Sequence, residues 1–314
     1  MERLIYTDSE LNDVGYLSGF ELDIENGRDD DFELKMPINR SHILSAGCFI
    51  YCENHPEYGG RVEKLIPNTA NKTIIFAGST WRGVFKKKIL THNIVCTTSS
   101  TLSGIVQNIL DASAFNTVFS PLENLSQLGK SVETGLLLNP LQTLEAILST
   151  VNCRPSFVFN PILKKVQIGT NAVADYSKAE YDSDRVSMEL TVNKMPVNHI
   201  IAADKNNNLH HLFLLHDGSY SKSPEITGAA EITRLIAVNS DISEEITAEL
   251  TAAMDEEQAN AQSAALSINN ISAEIGDIVG SFDNVSKTLV TAKITSKVLK
   301  MTDKTFLINF ETGE

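Results

Sequence analysis

Over residues 1–96 the apolar stretches are too short, and too often interrupted, to make helices. They fall at 4–6, 16–24, 32–36, 48–51, 61–66 and 73–76. Turn-forming residues separate them: an Asp-Ser pair, Asn26-Gly27, Gly59-Gly60 and Pro67-Asn68. Strands with this spacing and these breaks predict a compact sheet or barrel. The constraint is strong because a half-buried strand must find both a neighbour for its backbone and a core for its apolar face.

The pattern changes near Thr97. Leu102, Ile105, Val106, Ile109 and Leu110 recur at helical spacing, with Ser99 or Ser100 as the expected cap. Gly104 inside this segment costs about 1 kcal/mol against Ala, so packing must supply the helix with its stability. Asn139 followed by Pro140 marks a second helix start, and Leu141, Leu144, Leu148 and Val151 form its apolar stripe. A hairpin is predicted from 157–159 and 165–168. From Arg185 the chain returns to strands. Val186, Met188, Leu190 and Val192 alternate with polar residues, and 198–203 and 209–215 flank a polar turn. Ile242, Ile246, Leu250 and Met254 then fall every fourth residue. This is an amphipathic helix over about 241–256, with Asp241 and Glu244 as a capping pair and its acidic residues facing water. Short strands at 275–279, 290–298 and 306–310 close the chain, with Lys293 and Lys297 alternating with the apolar positions. The fold class expected is α+β, mainly β: two β-barrel-like domains at 1–96 and 179–314, with a small α/β module at 97–178 between them.

The totals bound the function. The chain has 314 residues, which suits two or three domains. Its net charge of −14 argues against casual binding to nucleic acid, since the one dense basic cluster is Lys86, Lys87 and Lys88. The N-terminus lacks the apolar core of a signal peptide, and no apolar stretch is long enough to span a membrane. A chain made in the cytoplasm gives no glycosylation meaning to the Asn-x-Ser/Thr matches at Asn71, Asn124, Asn270 and Asn284. Cys48, Cys52, Cys96 and Cys153 include no CxxC pair. Cys48 and Cys52 lie in one apolar run and point to one face of a strand, as small buried thiols.

Chemistry-bearing patterns are sparse. The seven histidines are His42, His55, His92, His199, His210, His211 and His216, and none sits in an HExxH. His210 and His211 are neighbours in a strand and point to opposite faces, so they cannot share an ion. Asp204, Asn206 and Asn208 match the opening of a calcium loop, but Leu209 and Leu215 stand where it needs Gly and Glu, which leaves a hairpin turn. Ser219 and Lys222 match Ser-x-x-Lys without the partner motifs of acyl enzymes. Asp29, Asp30 and Asp31 read as a solvated loop tip. Trp81 reads first as a core anchor at a domain corner, and second as an interface anchor together with Arg82. No catalytic residue, metal ligand or cofactor is assigned.

Four stretches together resemble one family. They are Phe20-Glu21-Leu22 with Phe32-Glu33-Leu34-Lys35-Met36-Pro37; Tyr58-Gly59-Gly60-Arg61-Val62-Glu63 with the segment from Ile75 through Thr80-Trp81-Arg82-Gly83 to Lys88 and Ile89; Val197-Asn198-His199-Ile200-Ile201-Ala202; and Glu274-Ile275-Gly276-Asp277-Ile278-Val279-Gly280. In order and spacing they are similar to the tail-hub, or tail-associated, baseplate-hub-like proteins of siphophages and prophages of Gram-positive bacteria. The resemblance departs from the family at Arg28 to Asp31, where a glycine turn is expected.

The resemblance implies two β-barrel-like tube domains per subunit, with smaller α/β domains beside them. It implies a homotrimer whose six barrels dock on a distal tail ring protein. It further implies a tail fibre, spike or receptor-binding protein below, the tape-measure protein as a neighbour, and a place at the virion tail tip. Specific nucleic-acid binding and membrane insertion by this chain are not expected. A non-enzymatic structural subunit is therefore expected, with Trp81, Arg82, Lys86, Lys87 and Lys88 as contact residues. Lytic domains of longer members follow the hub region, and none is expected in a chain that stops at 314. The alternatives are a hexameric distal tail ring protein, a cell-wall-degrading tail endopeptidase and a carbohydrate-binding adaptor.

Overall fold

The computed structural model describes every residue except 1, 41–42, 136, 178–185, 193–195, 261, 270–272, 284–287 and 313–314. At 186–192, 259–260, 262–269, 281–283 and 288–290 it describes the backbone alone. His42, Asn270, Asn284, Arg185 and the expected domain boundary at 178–179 lie outside the described residues. Strand outweighs helix by 42% to 18%, so the fold is α+β and mainly β. The chain forms two compact units. The first comprises Met1–Ser187, Leu266–Phe282 and Thr288–Gly313; the second comprises Met188–Ala265 with Asp283–Lys287 and Glu314.

The first unit is built on an antiparallel sheet. From one edge its strands run Asp13–Leu17, Leu4–Thr7, Phe49–Cys52, Gly59–Asn68, Thr73–Thr80, Asp31–Pro37, Glu21–Asn26, Thr288–Thr302 and Phe306–Thr312. The late strands thus pair directly with the early ones, Lys297 opposite Asn26 and Thr302 opposite Glu21. Alternation along Glu21–Asn26 and Asp31–Pro37 sends Leu22, Ile24, Phe32, Leu34 and Met36 into one core, joined by Leu299 and Met301. The sheet path does not close on itself, and no closed barrel is found among the described residues. The outer side of Asp13–Leu17 has no partner strand among the described residues, so closure is missing at that edge.

The strand Phe49–Cys52 explains its own apolar run. Ile50 and Cys52 enter the core just described. Phe49 and Tyr51, on the opposite face, enter a second core with Trp81, Val84 and Phe85. A strand buried on both faces reads as continuous apolar sequence rather than alternation. Cys48 packs partly against the same core as Cys52, as their spacing predicted. The second core is completed by the helices Leu102–Ser113 and Pro140–Ser149 and by a small sheet of Phe119–Pro121, Cys153–Asn160 and Lys165–Ala172.

Several local expectations hold, and several need correction. Asn139 caps the second of these helices: its side chain accepts from Gln142 N while the Gln142 side chain accepts from Asn139 N, with Pro140 in the first turn. The first helix is capped by Thr101 rather than Ser99 or Ser100, because the Thr101 hydroxyl is the group that reaches Gly104 N. The run at 16–24 is two strands, not one, since Gly19 takes a positive φ of 67° and turns the chain. Gly59 and Gly60 are not a break: both lie inside the strand Gly59–Asn68. A Cβ on Gly59 would lie 2.5 Å from the Ile50 carbonyl oxygen and 2.6 Å from the Trp81 ring, so glycine is there for close approach. The strand expected at 275–279 is Ile278–Asp283. In Thr288–Thr302 a register shift between Ile294 and Ser296 breaks the alternation. Ser296 and Lys297 are consequently buried, and the solvated lysine expected at 297 becomes an interior one.

The second unit carries a four-stranded sheet in the order Tyr220–Ser221, Leu209–Leu214, His199–Ala203, Thr233–Ala237. The helix Ser243–Asn260 covers one face, burying Ile246, Leu250 and Met254 against Ile200, Ala202 and Leu212. Ile242 precedes the helix and is exposed. Asp241 does not act in a capping pair: it forms an ion pair with Lys205 at 2.8 Å, while the Ser240 hydroxyl accepts from Ile242 N.

Asp204 organises the hairpin turn of this sheet. Its Oδ1 accepts from Asn206 N and Asn208 N, and its Oδ2 from Asn208 Nδ2 and His210 Nε2. These donors, the Asn208 side chain first, hold the carboxyl down at about 2 against an ordinary 3.8. A carboxyl that is more acidic in the folded state stabilises the fold above its unfolded value and ceases to do so as pH falls through its folded value. Protection of the 204–209 turn against amide exchange is therefore expected to weaken between about pH 4 and pH 2. Asp204→Asn should flatten that pH dependence, and an unchanged profile in the variant would refute the assignment.

Candidate functional site

Trp81, Arg82, Lys86, Lys87 and Lys88, the expected contact residues, lie in the segment 81–88, whose geometry follows from Thr80. The Thr80 hydroxyl accepts from Gly83 N and starts the short helix Trp81–Phe85 at the end of the strand Thr73–Thr80. A side chain at Gly83 would meet the Asp30 carbonyl oxygen at 2.1 Å, which accounts for the glycine after Trp81-Arg82. Trp81 is fully buried. Its ring stacks between Phe49 at 5.9 Å and Phe159 at 5.7 Å, and Nε1 donates to Pro56 O at 3.1 Å. The core-anchor reading of Trp81 is the one its position matches.

Arg82 is equally interior. Nε donates to Asp30 Oδ1 at 3.1 Å and Nη2 to Glu145 Oε1 at 2.8 Å, with the guanidinium 5.9 Å from the Phe157 ring. Lys86 reaches Asp30 Oδ2 and Asp29 O, both at 2.9 Å. Asp30 is thus not part of a solvated tip. It is buried, takes a positive φ of 57°, and is held between Arg82 and Lys86 while also accepting from Gly27 N. A buried carboxylate persists when paired and hydrogen-bonded in this way. Asp31, by contrast, is exposed and begins a strand, with partial desolvation and then the nearby Asp29 raising its carboxyl.

The rest of the basic cluster is engaged at home as well. Lys87 pairs with Glu63. Lys88 donates to the carbonyls of Ser113 and Ala114 and lies 4.4 Å from the Phe115 ring centroid. Those carbonyls close the helix Leu102–Ser113, whose C-terminal end favours a cation. Lys87, Lys88 and Ile89 keep exposed surface; Trp81 and Arg82 do not.

Elsewhere the structure disperses the candidate residues. His210 and His211 do point to opposite faces. His210 meets Asp204, and His211 Nδ1 lies 2.9 Å from His199 Nε2. His199 is buried, stacked on Phe213, with Nδ1 2.6 Å from Glu231 Oε1. The four cysteines are free. No three His, Cys, Asp or Glu side chains gather as a metal site among the described residues. The third similar stretch, from Val197, supplies Asn198, whose side chain accepts from Ile232 N and donates to Ala230 O. The fourth supplies Asp277, fully buried, which takes Arg154 side-on at 2.8 and 3.1 Å. Asp277 lies within the fourth similar stretch, whereas Asp30 falls at Arg28 to Asp31, where the resemblance departs, and no local pattern marks either as a buried charge.

No family model matches the chain, and no curated protein matches it. Solved structures do. A tail protein from Neisseria meningitidis MC58 aligns over 100% of this chain and 96% of its own, with a TM-score of 0.55 at 10% identity. The 43 kDa tail protein of prophage MuSo2 from Shewanella oneidensis aligns over 99% and 97%, with a TM-score of 0.57 at 10% identity. Prophage tail protein gp18 from Listeria monocytogenes EGD-e aligns over 99% and 94%, with a TM-score of 0.50 at 13% identity. Identities this low speak to backbone architecture alone. From end to end, the fold of this chain is that of prophage tail proteins.

Proposed function

We propose that this chain is a structural, non-enzymatic subunit of a phage or prophage tail, serving as the hub at the tail tip. The observation that carries the reading is the end-to-end match to tail proteins, with no large part of either chain left over. In this reading 1–96 and 179–314 supply the tube-building portions, and 97–178 the module beside them. Three subunits form a ring that joins the distal tail ring to a fibre, spike or receptor-binding protein, with the tape-measure protein inside. The segment 81–88 is the contact segment. Lys86, Lys87 and Lys88 offer it to a partner, and Trp81 and Arg82 hold it in shape from within. The net charge of −14 suits a channel wall past which DNA slides without sticking.

The test is the solution mass by light scattering, alone and with the neighbouring tail proteins. A trimer, or a monomer that becomes trimeric on the distal ring, is the expected result. A stable hexamer would instead make the chain the distal ring protein. A persistent monomer that clears bacterial cell walls would overturn the structural reading.

A further inference from the structure

A cavity of about 220 Å³ lies within the first unit, beneath Trp81 and Arg82 and beside Tyr58, Arg154 and Lys297, to which the tail reading gives no task. Its volume is far above the roughly 10–15 Å³ that one water needs. Trp81, Phe157 and Val158 give it an apolar wall. Its polar side chains differ sharply in exposure. Tyr58 is fully buried, and the side chains of Lys297, Arg82 and Arg154 are 7%, 10% and 13% exposed. The carboxylates of Glu57 and Glu274 stand nearer the mouth, at 34% and 43%.

The deep groups hold unspent hydrogen-bond donors. The Tyr58 hydroxyl is buried and has no partner among the described residues. Burial, with the carboxylates of Glu274 and Glu57 adding to it, holds that phenol protonated well above the usual tyrosine range, so it is a donor. Lys297 Nζ donates to Glu274 Oε1 at 2.6 Å and lies 5.0 Å from the centre of the Tyr58 ring. An ammonium has three N–H donors. Arg154 spends Nε and Nη2 on Asp277, and a guanidinium has five N–H. Among these cavity groups the Tyr58 hydroxyl is the buried atom without a partner, a costly state that native structures seldom leave unmet.

We propose that this cavity binds a small amino acid as its zwitterion. The carboxylate goes inward to Tyr58, Lys297 and Arg154, and the ammonium stays at the mouth with Glu57 and Glu274. The sorting selects this class: donors deep and carboxylates at the rim fit a ligand negative at one end and positive at the other. A bare anion would have to pass two carboxylates and gain nothing from them. A bare cation would leave the inner donors unmet.

Isothermal titration calorimetry on the full chain tests this, with glycine, 4-aminobutyrate, acetate and inorganic phosphate as probes. At least one of the two amino acids should bind, acetate more weakly and phosphate not at all. Tyr58→Phe should lower the amino-acid affinity about tenfold, the loss of one hydrogen bond to a charged group. Without ligand, Tyr58→Phe should melt no lower than the wild type, because the hydroxyl it removes has no protein partner. Glu57→Gln should weaken the amino acid and leave acetate unchanged. The proposal is overturned if the wild type binds neither amino acid, if acetate or phosphate binds as tightly, or if Tyr58→Phe binds unchanged or melts lower without ligand. None of these outcomes bears on the tail reading, which the solution mass tests separately.

Discussion

Replacing Asp277 by alanine is expected to destabilise the first unit by about 3–5 kcal/mol, the range for removing one partner of a buried ion pair. Its carboxylate is fully buried and accepts four hydrogen bonds: Arg154 Nε at 2.8 Å, Arg154 Nη2 at 3.1 Å, and the backbone N–H groups of Ala174 and Glu274, both at 2.9 Å. It therefore ties the strand Cys153–Asn160 to residues far along the chain. The alanine variant leaves a guanidinium that is only 13% exposed without its counter-ion, and two backbone donors without an acceptor. Against a typical total stability of about 5–15 kcal/mol this is a large fraction. Adding Arg154→Met should recover part of the loss, because the stranded charge goes with it, but not the part owed to the two N–H groups. Urea denaturation of the single and double variants measures both. A single variant within about 1 kcal/mol of wild type would show that the pair contributes little.

How far such features were legible depends on the distance between partners in sequence. Asn139-Pro140 announced its helix because cap and capped group are three residues apart. The apolar stripe of Leu102–Ser113 was equally plain, since periodicity is a local property. Asp30 and Asp277 were not legible as buried charges. Their cations stand 52 and 123 residues away, and Asp30, flanked by Asp29 and Asp31, reads as solvated until its partner is placed. Lys297 failed for a different reason. One register shift carries the strand past the point where alternation predicts an outward side chain, and nothing in the local pattern marks the shift. Gly59-Gly60 looked like a turn because glycine serves both turns and close approach, and only the Trp81 ring lying over the strand separates the two. The four similar stretches sit on just these long-range features, with Gly59, Trp81, Arg82, Gly83, Asn198 and Asp277 each committed to a distant partner.

Trp81→Ala is the variant that separates the two roles first considered for this residue. Its ring is fully buried, stacked between Phe49 and Phe159, and hydrogen-bonded to Pro56 O. Truncation should destabilise the isolated protein by about 3–5 kcal/mol, the range for removing a large aromatic side chain from a core. Trp81→Phe should cost less, because most of the stacking volume survives while the Nε1–H donor is lost. Loss of assembly in the alanine variant would then follow from loss of the fold around 81–88. An anchor reserved for a partner would behave otherwise: the denaturation midpoint of the isolated protein would stay at the wild-type value while association with the other tail proteins failed. Lys87→Ala supplies the control on the same segment. Lys87 is exposed and paired with Glu63, so its removal should change stability by no more than about 1 kcal/mol. If 81–88 is a contact segment, association should weaken in Lys87→Ala without a loss of fold. If association is untouched there and the midpoint falls only in Trp81→Ala, the segment belongs to the core and the contact surface lies elsewhere.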